Sequence, residues 1–179
     1  DGWYLLLFVL VVIATFSSSV IDGLDGLSAG TLAPVFAAYG AIAYAQGSYD
    51  LAALITVIIG ALGTYLWFKV HPAKFYMGET VIMGLTVTLA VIAFLTNSVL
   101  LLPVIGFILV VESASVILQL VWKKFLGRKL FLSSPIHHHL EALGWPESQV
   151  TMRFWIISAV SSALGLVIFF LSRFWSLIS

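Results

Sequence analysis

The chain has 179 residues, of which 61% are hydrophobic and only 9% are charged, and its mean hydropathy is +1.13. Soluble globular domains carry about 25% charged residues, so this composition excludes an ordinary soluble fold and predicts an integral membrane protein. Eight basic residues balance eight acidic ones without a basic tract, and there is no cysteine. A nucleic-acid partner, disulfides and thiolate metal sites are therefore excluded.

Six apolar runs are candidates for membrane-crossing helices, which need about 20 residues. They are Trp3–Phe16, Leu27–Ala45, Leu51–Phe68, Val81–Leu95, Val99–Trp122 and Phe154–Leu171. Because an unsatisfied backbone is prohibitive in lipid, we expect helices throughout. The sequence predicts an all-α bundle of about six transmembrane helices in a single membrane domain. The chain opens with Asp1 and an apolar run rather than a methionine, so we expect a fragment.

The basic residues predict the orientation of these helices, because lysine and arginine gather in cytoplasmic loops. Seven of the eight fall in the loops at about 69–79 and 123–153, and only Arg173 falls on the opposite side. A third polar loop, at about 17–26, shares their side. The carboxylates in the three loops are Asp22, Asp25, Glu79, Glu141 and Glu147. We therefore expect a polar site on the cytoplasmic face.

The first of these loops contains two carboxylates three residues apart, Asp22 and Asp25. On a helical turn such a pair shares one face, and Gly23 and Gly26 let a ligand approach the backbone closely. The pair suits a metal ion or a sugar hydroxyl. The alternative is structural, with Asp25 capping the following helix and Gly26 and Gly30 forming a small-residue packing face.

The second loop, FKVHPAKFYMGE, ends with Glu79 where the fourth helix is predicted to begin. A helix N-terminus stabilises a carboxylate through the helix dipole. Glu79 is therefore either a ligand or only a favourable charge at a helix end.

A polar stripe interrupts the fifth apolar run, where Glu112 shares a helical face with Ser115 and Gln119. An ionisable group at membrane depth suggests function by default. We nevertheless expect a structural stripe that faces another helix, with Glu112 hydrogen-bonded or protonated. Pro103 is predicted to bend this helix near its start.

The third loop carries three consecutive histidines, His137, His138 and His139, between Pro135 and Trp145. Imidazoles bind metals, donate hydrogen bonds to phosphate oxygens or titrate near neutral pH. The alternative is a solvated loop, or the start of a short helix whose imidazoles bond to backbone carbonyls.

The segment PIHHHLEALGWPE, followed by RFWIIS, resembles the signature of the phospho-N-acetylmuramoyl-pentapeptide transferase family. These are integral-membrane polyprenyl-phosphate sugar-1-phosphate transferases. The resemblance implies the C-terminal part of a ten-helix fold in the bacterial cytoplasmic membrane. It also implies transfer of phospho-MurNAc-pentapeptide from UDP to undecaprenyl phosphate, which gives lipid I and UMP for peptidoglycan synthesis. The sequence leaves the oligomeric state open, a homodimer included.

The same resemblance implies roles for individual residues. DGLDGL is similar to the family's nucleoside-binding loop, which assigns Asp22, Gly23, Leu24 and Asp25 to the substrate. Tyr76 stands at an aromatic position that stacks on uracil in the family. The resemblance thus predicts a nucleoside site built from the first two polar loops.

Glu79 aligns with the aspartate of the family's MGD motif, which ligates the catalytic Mg²⁺. The three histidines would then act as catalytic groups at the pyrophosphate or sugar of the donor. The chain departs from the family pattern at four places: Ser19 and Ile21 replace Asn and Thr, Lys69 replaces Asn, Glu79 replaces Asp, and Thr80-Val81-Ile82 replaces a small Gly-Ser step. The family's other acidic pair and a lysine belong to its N-terminal half.

Two alternative functions remain. A sister transferase would carry another sugar phosphate such as GlcNAc-1-phosphate, and a non-catalytic transporter or degenerate scaffold would explain the departures. A CDP-alcohol phosphotransferase is disfavoured, because its further arginine and paired aspartates are missing after Asp22.

Overall fold

The computed structural model describes residues 4–5, 8–9, 23–75 and 78–178. These residues form helices and connecting loops, and no strand occurs among them. The helices are α1 (Leu27–Ala45), α2 (Tyr49–Lys69), α3 (Glu79–Leu95), α4 (Leu102–Ile105), α5 (Phe107–Leu126), α6 (Ile136–Ala142) and α7 (Glu147–Ile178), and a 3₁₀ turn at Val99–Leu101 precedes α4. The prediction of an all-α fold is confirmed for this part of the chain.

Three of these helices, α1, α2 and α7, are long and apolar enough to cross a membrane. The 3₁₀ turn with α4 and α5 makes a fourth candidate if the bent pair forms one span, and α3 is a shorter apolar helix of 17 residues. Most of the predicted first crossing, Trp3–Phe16, lies outside the described residues. The chain is thus a multi-pass α-helical membrane protein, and the predicted count of six crossings is not confirmed.

The fifth predicted crossing is broken rather than straight. Val99–Ile105 and Phe107–Leu126 meet at an angle of 84°, and the residue between them, Gly106, has non-helical dihedral angles (φ −94°, ψ 35°). Pro103 lies in the first turn of α4, where a proline is tolerated. The predicted bend near the start of this helix is confirmed, but the chain leaves helical geometry at Gly106 rather than at Pro103.

Helix α1 lies at the centre of the fold, with α2 and α7 packed along it. Trp155 of α7 lies so close to Gly30 that any Cβ there would overlap the indole, and Gly26 contacts the same ring. Trp155 Nε1 also donates to the Gly26 carbonyl (3.0 Å), and Ser158 Oγ donates to the Thr31 carbonyl (2.7 Å). Such interhelical hydrogen bonds average about 0.6 kcal/mol, so the close packing of Trp155 against α1 contributes more to holding α7 in place. The small-residue face is confirmed, and Trp155 occupies it.

Candidate functional site

Asp25 joins three segments that are far apart in the sequence. Its backbone N–H donates to Oε1 of Glu147 at 2.5 Å, and its Oδ2 accepts the backbone N–H of Ala73 at 3.0 Å. The same Oδ2 lies 3.1 Å from Nδ1 of His71. The segment before α1, the loop after α2 and the start of α7 therefore meet at one aspartate. The alternative that Asp25 caps α1 is wrong, because the N-cap residue is Gly26 and no side chain caps this helix.

Asp25, His71 and Glu147 also form a group whose possible ligand atoms lie within 4.8 Å of one another. Two carboxylates and an imidazole suit a transition metal better than magnesium, which prefers oxygen ligands. Oδ2 of Asp25 and Oε1 of Glu147 already accept hydrogen bonds from the protein. The observed hydrogen bonds of Asp25 and Glu147 therefore join segments of the protein to one another.

Glu79 lies apart from this group. It is the first residue of α3, after the N-cap residue Gly78, and its side chain is exposed. Within the part of the chain that the structure describes, no hydrogen bond or ion pair engages its carboxylate. The helix dipole favours its negative charge. Glu79 thus presents a carboxylate whose oxygens are uncommitted.

The Nε2 atoms of His137 and His138 lie close to Gly23, whereas their Nδ1 atoms contact carboxylates. Nδ1 of His137 lies 2.9 Å from Oε2 of Glu112, and Nδ1 of His138 lies 2.6 Å from Oε2 of Glu141. The two ring centroids are 4.2 Å apart. A Cβ added to Gly23 would lie 2.6 Å from Nε2 of His137 and 3.2 Å from Nε2 of His138. Gly23 and these two histidines therefore line one small site.

His139 is oriented differently. Its Nδ1 accepts the backbone N–H of Leu132 at 3.2 Å, and its ring packs edge-on against Phe131 at 5.4 Å between centroids. The histidine triplet does open a short helix, α6, as one alternative proposed. Its observed hydrogen bonds go to carboxylates and a backbone N–H rather than to carbonyls. His139 thus braces the loop that leads into α6.

The polar stripe of α5 faces this histidine segment. Glu112 is fully buried against His137. Gln119 accepts the backbone N–H groups of Leu130 and Phe131 at 3.0 and 2.9 Å through Oε1, and its Nε2 donates to the Phe131 carbonyl at 3.2 Å. The expectation that Glu112 is hydrogen-bonded against another helix is confirmed, and that helix is α6.

The remaining predicted site residues are placed as follows. Leu24 is 3% exposed and packs in the core, so only its backbone can face a ligand. Asp22 and Tyr76 lie outside the described residues. Lys69, expected in a loop, is instead the last residue of α2 and is fully buried.

Sequence reasoning missed His71 as a partner of Asp25 and did not assign Glu147 a role. Both residues flank a proline, His71-Pro72 and Pro146-Glu147, within predicted polar loops. Polar residues beside a proline in such loops are the signal that could have drawn attention to them.

Comparison with known proteins gives a family. A model of glycosyl transferase family 4 matches residues 2–97. The phospho-N-acetylmuramoyl-pentapeptide-transferase of Geobacillus sp. (strain WCH70) is 41% identical over 167 residues, which is 93% of this chain and 52% of the relative. Its counterpart in Rubrobacter xylanophilus is 39% identical over 170 residues, covering 94% of this chain and 52% of the relative.

The protein of the same name from Bacillus subtilis (strain 168) is 40% identical over 169 residues, again 93% of this chain and 52% of the relative. The chain thus spans about half the length of the curated relatives it matches. Because the family model covers more than half of the residues, the chain belongs to glycosyl transferase family 4.

Proposed function

We propose that the full-length protein transfers phospho-MurNAc-pentapeptide from UDP to undecaprenyl phosphate, releasing UMP and forming lipid I. The names of the curated relatives support this activity. The observation that carries it is the meeting of Gly23 with His137 and His138, beside the loops that Asp25 joins. Phosphoryl transfer needs hydrogen-bonding groups positioned around a phosphate.

In this reaction an oxygen of the lipid phosphate attacks the β-phosphorus of the donor. The bond from that phosphorus to the bridging oxygen breaks, and UMP leaves with this oxygen. Catalysis consists mainly of holding the attacking and leaving oxygens in line and offsetting their charge. We assign this role to the Nε2 atoms of His137 and His138, with His139 holding their loop in place. Gly23, without a side chain, lets the two imidazoles lie against the backbone of the substrate loop.

The nucleoside end of the donor is assigned to the first two polar loops. Asp22, Asp25 and Tyr76 would contact it, together with the backbone of Gly23 and Leu24. Because Asp25 already accepts a hydrogen bond from Ala73, its main contribution is to hold the second loop against the first. A nucleoside held between these loops would direct its pyrophosphate toward the histidines.

Mg²⁺ is the cofactor that we assign, with Glu79 as its ligand. Proteins hold magnesium through one or two carboxylates together with substrate phosphates, and Glu79 offers an exposed carboxylate that no other described residue engages. The residue therefore fits the ion. When bound, Mg²⁺ offsets negative charge on the phosphate oxygens.

We place this site on the cytoplasmic face of the bacterial inner membrane. Seven of the eight basic residues of the chain lie in these polar loops or in the helix ends beside them, and such residues gather on the cytoplasmic side. The substrates would then meet at the membrane surface, with the donor arriving from the cytoplasm and the lipid phosphate from the bilayer.

The test uses the full-length protein, purified in detergent, with UDP-MurNAc-pentapeptide and undecaprenyl phosphate. We expect one UMP per molecule of lipid-linked product, and a product mass equal to that of lipid I. Excess UDP-GlcNAc should not compete with the donor. Competition would favour the sister transferase, and a folded, lipid-bound protein that releases no UMP would favour the scaffold.

A further inference from the structure

The pair formed by Glu112 and His137 is fully buried, yet it is only half satisfied. Both side chains are 0% exposed, and Nδ1 of His137 lies 2.9 Å from Oε2 of Glu112. Among the described residues, Nε2 of His137 and Oε1 of Glu112 have no hydrogen-bond partner. Buried polar atoms almost always have a partner. An unpartnered nitrogen in an otherwise ordered pair is therefore a candidate for a hydrogen bond to a ligand.

The position of this nitrogen indicates where the ligand lies. A Cβ on Gly23 would lie 2.6 Å from Nε2 of His137, so the nitrogen faces the backbone of the predicted substrate loop. Nε2 of His138 faces the same point at 3.2 Å. Both nitrogens therefore lie against the backbone of Gly23, so a donor bound by this loop would present its phosphate oxygens beside them.

The carboxylate determines which proton the imidazole carries. With Glu112 ionised, its carboxylate only accepts hydrogen bonds, and Nδ1 of His137 then holds a proton and donates it to Glu112. Nε2 is then the only ring nitrogen that can exchange a proton with a substrate. It accepts a hydrogen bond when the ring is neutral and donates one when the ring is an imidazolium.

We propose that Glu112 is a positioning residue, which holds His137 with Nε2 directed at a phosphate oxygen of the donor. This inference rests on the proposed function. His138 has a similar partner in Glu141, but those side chains are 40% and 32% exposed, so water can also bond to them. His137 has no such access, and its orientation depends on Glu112.

A double-mutant cycle in the full-length protein tests this role. Glu112→Gln keeps the size of the side chain and removes its charge. We expect kcat to fall by roughly 10- to 100-fold, the scale typical of residues that orient a functional histidine, with little change in KM for the donor. In a His137→Ala background the same substitution should cause no further loss, because residues that act through one another are not additive.

Ser115→Ala is the matched control on the same helix face. Among the described residues, the Ser115 hydroxyl bonds only to the backbone carbonyl of Glu112 in its own helix, so we expect parental kcat. Full activity in Glu112→Gln, or an equal loss with and without His137, would overturn the proposal.

A second measurement does not depend on whether the variants fold. In unmodified full-length protein with ¹⁵N-labelled histidine, NMR should show a proton on Nδ1 of His137. A ring protonated only at Nε2 would overturn the proposal. Failure of unmodified protein to release UMP would instead refute the proposed function and leave the NMR result to decide the role of Glu112.

Discussion

Asp25 and Glu79 are two carboxylates that the sequence assigns to ligand binding, yet they have opposite surroundings. Asp25 is 8% exposed, and its Oδ2 is engaged by Ala73 and His71. Glu79 is exposed at the start of α3, and no other described residue engages its carboxylate. A carboxylate whose oxygens bond to the protein's own loops fixes the positions of these loops in a site. One whose oxygens are uncommitted can give its charge to an ion.

The histidine triplet shows the same difference within three residues. Nε2 of His137 and His138 faces Gly23, whereas Nδ1 of His139 is engaged by the backbone of Leu132. We therefore expect the uncommitted groups to control turnover and the committed groups to control stability and substrate affinity.

The largest effect is expected for Glu79→Gln in the full-length protein. The amide keeps the size of the side chain but lacks the charge that a hard divalent cation needs. Turnover should fall by roughly 10²- to 10³-fold, and excess Mg²⁺ should not restore it. Steady-state UMP release over a range of Mg²⁺ concentrations measures this.

Glu79→Asp is the matched control, because it keeps the charge and restores the residue of the family motif. Activity should be retained or raised if the backbone at Val81 and Ile82 keeps the family geometry. Full activity in Glu79→Gln would show that the ion is held elsewhere and that Glu79 is only a favourable charge at a helix end.

The second effect separates the three histidines. His137→Ala and His138→Ala should each lower kcat by roughly 10²-fold, the scale of one lost transition-state hydrogen bond. His139→Ala should lower the thermal stability, because it removes the contacts with Leu132 and Phe131. Its effect on kcat should be smaller than that of the other two substitutions. Kinetics combined with thermal unfolding in detergent gives both quantities. Near-parental turnover in all three variants would make the segment structural.

The third effect concerns the close contact between Gly23 and the histidines. Gly23→Ala would place a Cβ 2.6 Å from Nε2 of His137, and displacing a catalytic group by a fraction of an ångström to about 1 Å lowers turnover by roughly 10- to 10²-fold. Gly63→Ala is the control, since a Cβ there meets nothing within 4 Å. It should leave kcat unchanged. Parental kcat in Gly23→Ala would show that this glycine does not belong to the site.

A smaller effect is expected for Asp25→Ala, which releases the loop after α2. Hydrogen bonds to a charged group contribute about 1.5 kcal/mol or more, so KM for the donor should rise about tenfold while kcat changes less. Asp25→Asn keeps an acceptor for the Ala73 N–H, so KM for the donor should rise less in this variant. A loss confined to kcat would indicate a direct catalytic role for Asp25 instead.

The orientation can be tested without changing activity. Single cysteines at Lys129 and Ser48, both exposed, should be labelled from opposite sides of the membrane in a cysteine-free background. An impermeant external reagent on intact cells should reach Ser48→Cys only. Labelling of Lys129→Cys would reverse the predicted topology.

The helices could largely be predicted from the sequence, because apolar runs in lipid leave the backbone no other form. The run Leu27–Ala45 matches α1 at both ends. The run Phe154–Leu171 is shorter than α7. Helix α7 begins at Glu147, and its first turns contain polar residues, which a search for apolar runs does not detect. The break at Gly106 was missed because Pro103 offered the more familiar cause.

The site could be predicted only as a set of residues that lie in neighbouring loops. The polar stripe on α5 was visible from its spacing, and so was the hydrogen-bonded state of Glu112, whereas its partner His137 was not. The contact of Asp25 with Glu147 joins residues 122 positions apart, and such a pair depends on how α7 packs against α1. The burial of Lys69 also follows from packing, which local hydropathy does not record.

Binding of Mn²⁺ as a magnesium substitute most directly tests the distinction between the two carboxylates. The measurement is electron paramagnetic resonance of the full-length protein with the donor nucleotide present, for the unmodified protein, Glu79→Gln and Asp25→Asn. We expect bound Mn²⁺ in the unmodified protein and in Asp25→Asn, and its loss in Glu79→Gln. Retained binding in Glu79→Gln with loss in Asp25→Asn would contradict this account and place the ion at Asp25, His71 and Glu147.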